Sequence, residues 1–173
     1  IVGPSDNVIN GWIQSGKKLL LDITPLSGIK DSGSGIVITT YENFGQNETL
    51  CHRDWDLVLF DESHKLNSNK DGNPTNAQNM MQAVTLYPGG IWNRTRMLNP
   101  ELSAKIDKAR QDKDWDQVRK FDKQWHDTVE KVRNDVMGRQ GEQRTRVVFL
   151  SATPFAYEKN IEYANGYLFD YNE

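Results

Sequence analysis

The chain has 173 residues, a formal charge of −3, 36% hydrophobic and 26% charged side chains, which is enough for one domain with its own core and excludes a polycation that coats nucleic acid over its whole surface. The single cysteine, Cys51, excludes an intrachain disulfide and fits a reducing, cytoplasmic setting. No apolar run reaches membrane-spanning length, so no membrane role is expected.

The chain opens Ile1-Val2-Gly3-Pro4, without Met and as if inside a strand, and is read as a fragment of a longer protein. A helix carrying Trp12 is expected next. Within it, Gly11-Trp12-Ile13-Gln14-Ser15-Gly16-Lys17-Lys18 comes close to the phosphate-binding pattern G-x-x-x-x-G-K-[ST]. Three features argue against a phosphate loop. Lys18 stands where a hydroxyl should hold Mg²⁺, no apolar strand leads into Gly11, and the following Leu19-Leu20-Leu21-Asp22 reads as a strand. The expectation is a helix ending at Gly16.

Five apolar runs are predicted as strands, at residues 1–2, 19–21, 36–38, 57–60 and 147–150. The last three are continuous rather than alternating, the pattern of parallel strands covered on both faces. Each is followed by polar residues: Thr39-Thr40, Asp61-Glu62 and Ser151-Ala152-Thr153. In an open α/β sheet, ligands gather at the carboxyl ends of the strands. Cys51-His52-Arg53-Asp54 has potential metal ligands but lacks a second pair at zinc-site spacing, so a surface turn is expected.

Ninety positions separate Asp61 from Ser151, too many for one crossover. Residues 67–76 read as a loop, residues 76–87 as a helix closed by Pro88-Gly89-Gly90. Asn99 is placed to cap a helix beginning at Pro100, with Leu102, Ile106 and Ala109 on one face. Asp114 and Gln117 form a capping box for a second helix. Its stripe is Trp115, Val118, Phe121, Trp125, Val129, Val132 and Val136, and Gly138 is placed to end it. An inserted helical hairpin over 99–138 follows, with Trp115, Phe121 and Trp125 packed inward. Residues 94–146 hold 14 basic and 10 acidic side chains, against 6 and 10 over residues 1–93. Arg94, Arg96, Lys120, Lys123, Lys131 and Arg133 are therefore candidates for a salt-sensitive contact with nucleic acid or a partner lobe.

The chemistry centres on Leu57-Val58-Leu59-Phe60-Asp61-Glu62-Ser63-His64, a buried strand that delivers two adjacent carboxylates to its exposed end. In a nucleotide hydrolase the first holds Mg²⁺ and the second takes a proton from the attacking water. Downstream, Val147-Val148-Phe149-Leu150-Ser151-Ala152-Thr153-Pro154 brings small hydroxyl residues to a second strand end.

Asp61-Glu62-Ser63-His64 resembles motif II, the DExH box, of superfamily 2 helicases, and Ser151-Ala152-Thr153 resembles their motif III. Ile1-Val2-Gly3-Pro4-Ser5 with Trp12 resembles motif Ia, and Ile36-Val37-Ile38-Thr39-Thr40-Tyr41 resembles the segment between motifs Ia and II. The resemblance implies an α/β fold, part of a RecA-like parallel sheet flanked by helices, with residues 1–173 a fragment of the first motor domain. It implies ATP and Mg²⁺ as cofactors. It makes Asp61 the metal ligand, Glu62 the general base and His64 a coupling residue, with Ser151 and Thr153 linking hydrolysis to movement. Pro4, Ser5, Thr39, Thr40 and Tyr41 would line a nucleic-acid surface, with DNA favoured, and a second RecA-like lobe of the same parent chain would be the partner. The phosphate loop would lie upstream of Ile1. The long connection between motifs II and III departs from the family pattern. Two other readings stay open: a RecA-like binding or scaffold module without turnover, and a metal-dependent hydrolase using Asp61, Glu62 and His64 directly.

Overall fold

The computed structural model describes residues 1–28, 35–86, 90–139, 144–153 and 162–168. Five strands form one parallel sheet: β1 (Val2–Gly3), β2 (Ile23–Pro25), β3 (Ile36–Thr40), β4 (Leu57–Asp61) and β5 (Arg146–Leu150), in the order β2-β3-β1-β4-β5. The fold is thus α/β, with helices flanking the sheet. Pro25 sits in an edge strand, where a missing amide donor is tolerated.

On one face, α1 (Asp6–Lys18) lays Ile9, Trp12 and Ile13 over Ile23 and Ile38. The other face carries the larger core. Val2, Val58 and Phe60 meet α2 (Tyr41–Gln46) through Phe44, α3 (Asn76–Val84) through Met80, Met81 and Val84, and a 3₁₀ turn at Glu48–His52 through Leu50 and Cys51. Cys51 is therefore a core residue rather than part of a surface turn. Its sulfur lies 3.5 Å from Met97 Sδ, and burial pushes its thiol up to about 11.

Three expectations are corrected. Residues 19–21 are not a strand. The helix runs past Gly16 to Lys18, and the chain then doubles back, with Leu21 N donating to Gly16 O at 2.9 Å and Leu20 at φ 58°. Leu20 is 95% exposed, and the strand begins two residues later at Ile23. The helix also absorbs Gly11 to Lys18, which removes the loop that a phosphate site would need. Third, β5 is an edge strand covered on one face. Val147 and Phe149 pack on the core, whereas Val148 and Leu150 are open to solvent.

An unforeseen helix, α4 (Ile91–Leu98), fills the space after α3. Its core face includes buried Arg94, which donates to Ala83 O at 3.0 Å and faces Asp54 at 3.5 Å. Gly90 admits the close approach of α3. A Cβ there would meet Gln82 O at 2.4 Å and its carbonyl carbon at 2.5 Å. Backbone cannot yield as a side-chain tip can, so Gly90→Ala is expected to destabilise the fold by about 1–3 kcal/mol, read as a lower midpoint in chemical unfolding.

The hairpin forms as expected, from α5 (Pro100–Gln111) and α6 (Trp115–Gly138). Asp114 caps α6 by accepting from Gln117 N at 3.1 Å. Asn99, in contrast, makes no side-chain cap and turns back to Thr95 O. Val129, Val132 and Val136 seat α6 on Leu86 and Ile91, and Trp125 meets Trp92 edge-on at 6.0 Å. Trp115 departs from the expected packing and is 59% exposed. No described helix is long and apolar enough to cross a membrane.

Candidate functional site

The carboxyl ends of β1, β3, β4 and β5 lie side by side in the parallel sheet, and the polar residues of the sequence gather there. β4 delivers Asp61 because its alternation sends Phe60 into the core and Asp61 to the opposite face, the face that carries α1. Trp12 reaches over from α1, and its indole N–H donates to Asp61 Oδ2 at 2.7 Å. Tyr41, at the start of α2, donates its hydroxyl to Asp61 O at 2.9 Å. Burial raises the Tyr41 phenol above its ordinary range, and the nearby Asp61, Tyr163 and Glu62 add to the effect, so it stays a donor. The first carboxylate is thus held from two sides, with one oxygen engaged by an N–H.

Glu62 follows in a left-handed conformation, φ 53° and ψ 54°. For a side chain without local backbone bonding this costs about 1–3 kcal/mol, and such strain concentrates at functional sites. The kink turns the chain into a 3₁₀ turn at Ser63–Leu66, which buries Leu66 and Ser63. Glu62 Oε2 and His64 Nδ1 lie 3.2 Å apart. Ser151 arrives from the end of neighbouring β5, its Oγ 3.5 Å from His64 Nδ1, and accepts from Thr153 N at 3.3 Å. Glu62, His64, Ser151 and Thr153 therefore form one connected group across two adjacent strand ends. Pro154 lies outside the described residues.

The second group of candidates separates. Pro4 and Ser5 follow β1, with Ser5 exposed ahead of α1. Thr40 caps α2 by accepting from Asn43 N at 3.3 Å. Thr39 departs from the expectation of a surface donor: it is 4% exposed, and its hydroxyl donates to Leu26 O at 2.8 Å while accepting from Asn43 Nδ2 at 2.7 Å. Tyr41 likewise faces Asp61 rather than outward.

Two partners escaped the sequence reading. Tyr163, buried beneath the site, shares a 2.8 Å hydrogen bond with Ser63 Oγ and packs edge-on against Phe149. The other is the Trp12–Asp61 bond. The spacing of Tyr163 and Tyr167, one helical turn apart, was an available signal for the first. Nothing in sequence spacing joins residues 12 and 61.

The basic candidates of the helical region are partly spent on internal pairs. Arg94 is buried against Asp54, Arg96 lies 3.2 Å from Glu48, and Arg133 pairs with Glu130 one turn away. Lys120, Lys123 and Lys131 remain exposed. Asp61, Glu62 and His64 do not make a closed ligand set: among the described residues no group of three or more His, Cys, Asp or Glu side chains is placed to hold a metal ion.

No family model matches the chain, and no characterised protein or solved structure matches it either.

Proposed function

We propose that the chain is part of the first, RecA-like motor domain of an ATP-dependent superfamily 2 helicase or translocase acting on nucleic acid, DNA in the first instance. The observation that carries this reading is the junction of Glu62, His64 and Ser151 across the ends of β4 and β5, beside a clamped Asp61. Motors of this kind need an acid pair at one strand end in contact with a hydroxyl residue at the next, so that hydrolysis can be felt by a moving part.

In this reading Asp61 is the Mg²⁺ ligand, and Trp12 fixes which of its oxygens faces outward. An all-oxygen site of one carboxylate with water and phosphate oxygens suits Mg²⁺, which neutralises phosphate charge when bound. Glu62 takes the proton of the attacking water. His64 and Ser151 pass the state of that carboxylate to Thr153 and onward to a second motor lobe. Pro4, Ser5 and Thr40 lie on the nucleic-acid side, with backbone and hydroxyl groups available to phosphates. The setting is cytoplasmic. The absence of a three-ligand cluster weighs against the metal-hydrolase alternative, and a scaffold without turnover is separated from a motor by assay.

The phosphate-gripping loop is proposed to lie ahead of Ile1. Residues 1–173 alone are then expected to hydrolyse ATP negligibly, because phosphoryl transfer depends on positioning by several parts at once. The check is phosphate release with and without single-stranded DNA. Robust turnover by residues 1–173 that is lost in Glu62→Gln would show that the catalytic machinery is complete within them.

A further inference from the structure

β1 is the middle strand of the sheet yet spans only Val2–Gly3, whereas its neighbours β3 and β4 are each five residues long. Its pairing starts at Val2, level with Thr39 on one side and Phe60 on the other. Below that level the described residues place no strand between β3 and β4. The space is a cavity of about 280 Å³ lined by Val37, Leu57, Val58, Leu59 and Trp55, with Arg53 and Asp56 at its rim.

The backbone facing this gap is set for pairing. Asp56 O accepts from Arg146 N of β5. Backbone groups alternate sides along a strand, so those of Leu57 and Leu59 turn the other way, towards the gap. Across it, Val37 O already accepts from the Ile1 amino nitrogen at 2.8 Å, the bond that a parallel ladder calls for. That nitrogen is an ammonium drawn into the sheet, where a neutral amide would make the same bond without desolvating a charge. Ile36 and Leu57, at the open end, are 39% and 51% exposed despite belonging to interior strands.

We propose that this gap is a strand slot filled by an extended apolar segment joined by a peptide bond ahead of Ile1, which lengthens β1 and pairs in parallel with both β3 and β4. The segment carries no proline in its last three residues, since each missing N–H would leave a ladder acceptor unpaired, and its side chains are β-branched or aliphatic on both faces. This inference stands apart from the functional reading and holds whether or not the domain is a motor.

The experiment compares the full chain released with Ile1 as its first residue and three extended forms. One carries valine-isoleucine-valine ahead of Ile1, one glycine-serine-glycine, and one valine-proline-valine. The apolar extension is expected to raise Tm by roughly 5–10 °C, to slow amide exchange at Leu59 and to remain monomeric in sedimentation. The glycine-serine form should gain little, and the proline form should fall well short of the apolar one. A pH series gives a second readout. Burial lowers the Ile1 amine to about 6, so between pH 6 and 8 the unfolded chain binds a proton that the folded one does not, and stability falls as pH is lowered through that window. Arg53, Asp56 and the histidines are common to all forms, so the difference between forms isolates the amine, and the apolar extension should remove this dependence. Equal Tm for the apolar and glycine-serine forms would overturn the slot. Dimerisation, or equal stabilisation by the free tripeptide, would overturn the covalent occupant.

Discussion

Glu62→Gln is expected to lower ATP turnover by roughly 10²–10⁴-fold in a protein that holds this domain together with its phosphate loop and second lobe, while ATP still binds. The amide keeps the length and shape of the side chain and can occupy the same kinked position at the end of β4. It can also stay beside His64, now 3.2 Å from Oε2. What it loses is the ability to accept a proton from water and return it. Nucleotide affinity, which depends on phosphate-gripping groups elsewhere, should change little. Steady-state phosphate release in the presence of DNA, set beside equilibrium binding of a fluorescent ATP analogue, measures both quantities. Near-normal turnover would remove Glu62 from the base role, and turnover absent from the parent protein as well would favour the scaffold reading.

The parts of this molecule that could be read from sequence are those where local pattern and tertiary role agree. The continuous apolar runs ahead of Thr39, Asp61 and Ser151 became parallel strands whose ends meet, because a buried strand must be apolar on both sides and its polar residues collect where it emerges. The α6 stripe was legible for the same reason: one helix face is buried along its length. Legibility failed where a residue type contradicted its environment. Leu19, Leu20 and Leu21 look like a strand yet form an exposed turn, since α1 runs beyond Gly16 and packs that glycine against Ile23. Arg94 hid the periodicity of α4, because a buried arginine satisfied by Ala83 O and Asp54 counts as polar in any pattern. Thr39 looked like a free hydroxyl on a strand end, and its partner Leu26 lies thirteen residues away. The Trp12–Asp61 bond spans 49 residues, and no local spacing encodes it. The site was therefore readable as a set of strand ends, but not as a network.

Phe60→Ala is expected to cost about 3–5 kcal/mol, a large share of the roughly 5–15 kcal/mol that holds a domain together. Phe60 is fully buried and stands among three rings, with Phe44 at 5.6 Å, Phe149 at 5.7 Å and Tyr41 at 6.4 Å. Those rings come from α2, β5 and the segment that leads from β3, so no single element can move to fill the void. Leu57, three residues earlier and on the opposite face, is 51% exposed. Leu57→Ala should cost less than about 1 kcal/mol, although both residues lie in one apolar run. Urea unfolding of the two variants, with the slope checked for constancy, measures the contrast. Equal costs would mean that the two faces of β4 are not covered as differently as this packing requires. A large cost at Phe60 alone would place the anchor of the acidic pair in the aromatic cluster. Tyr41 belongs to that cluster through its ring and to the site through its hydroxyl on Asp61 O. A cavity at Phe60 would therefore loosen the end of β4 as well as the core beneath it.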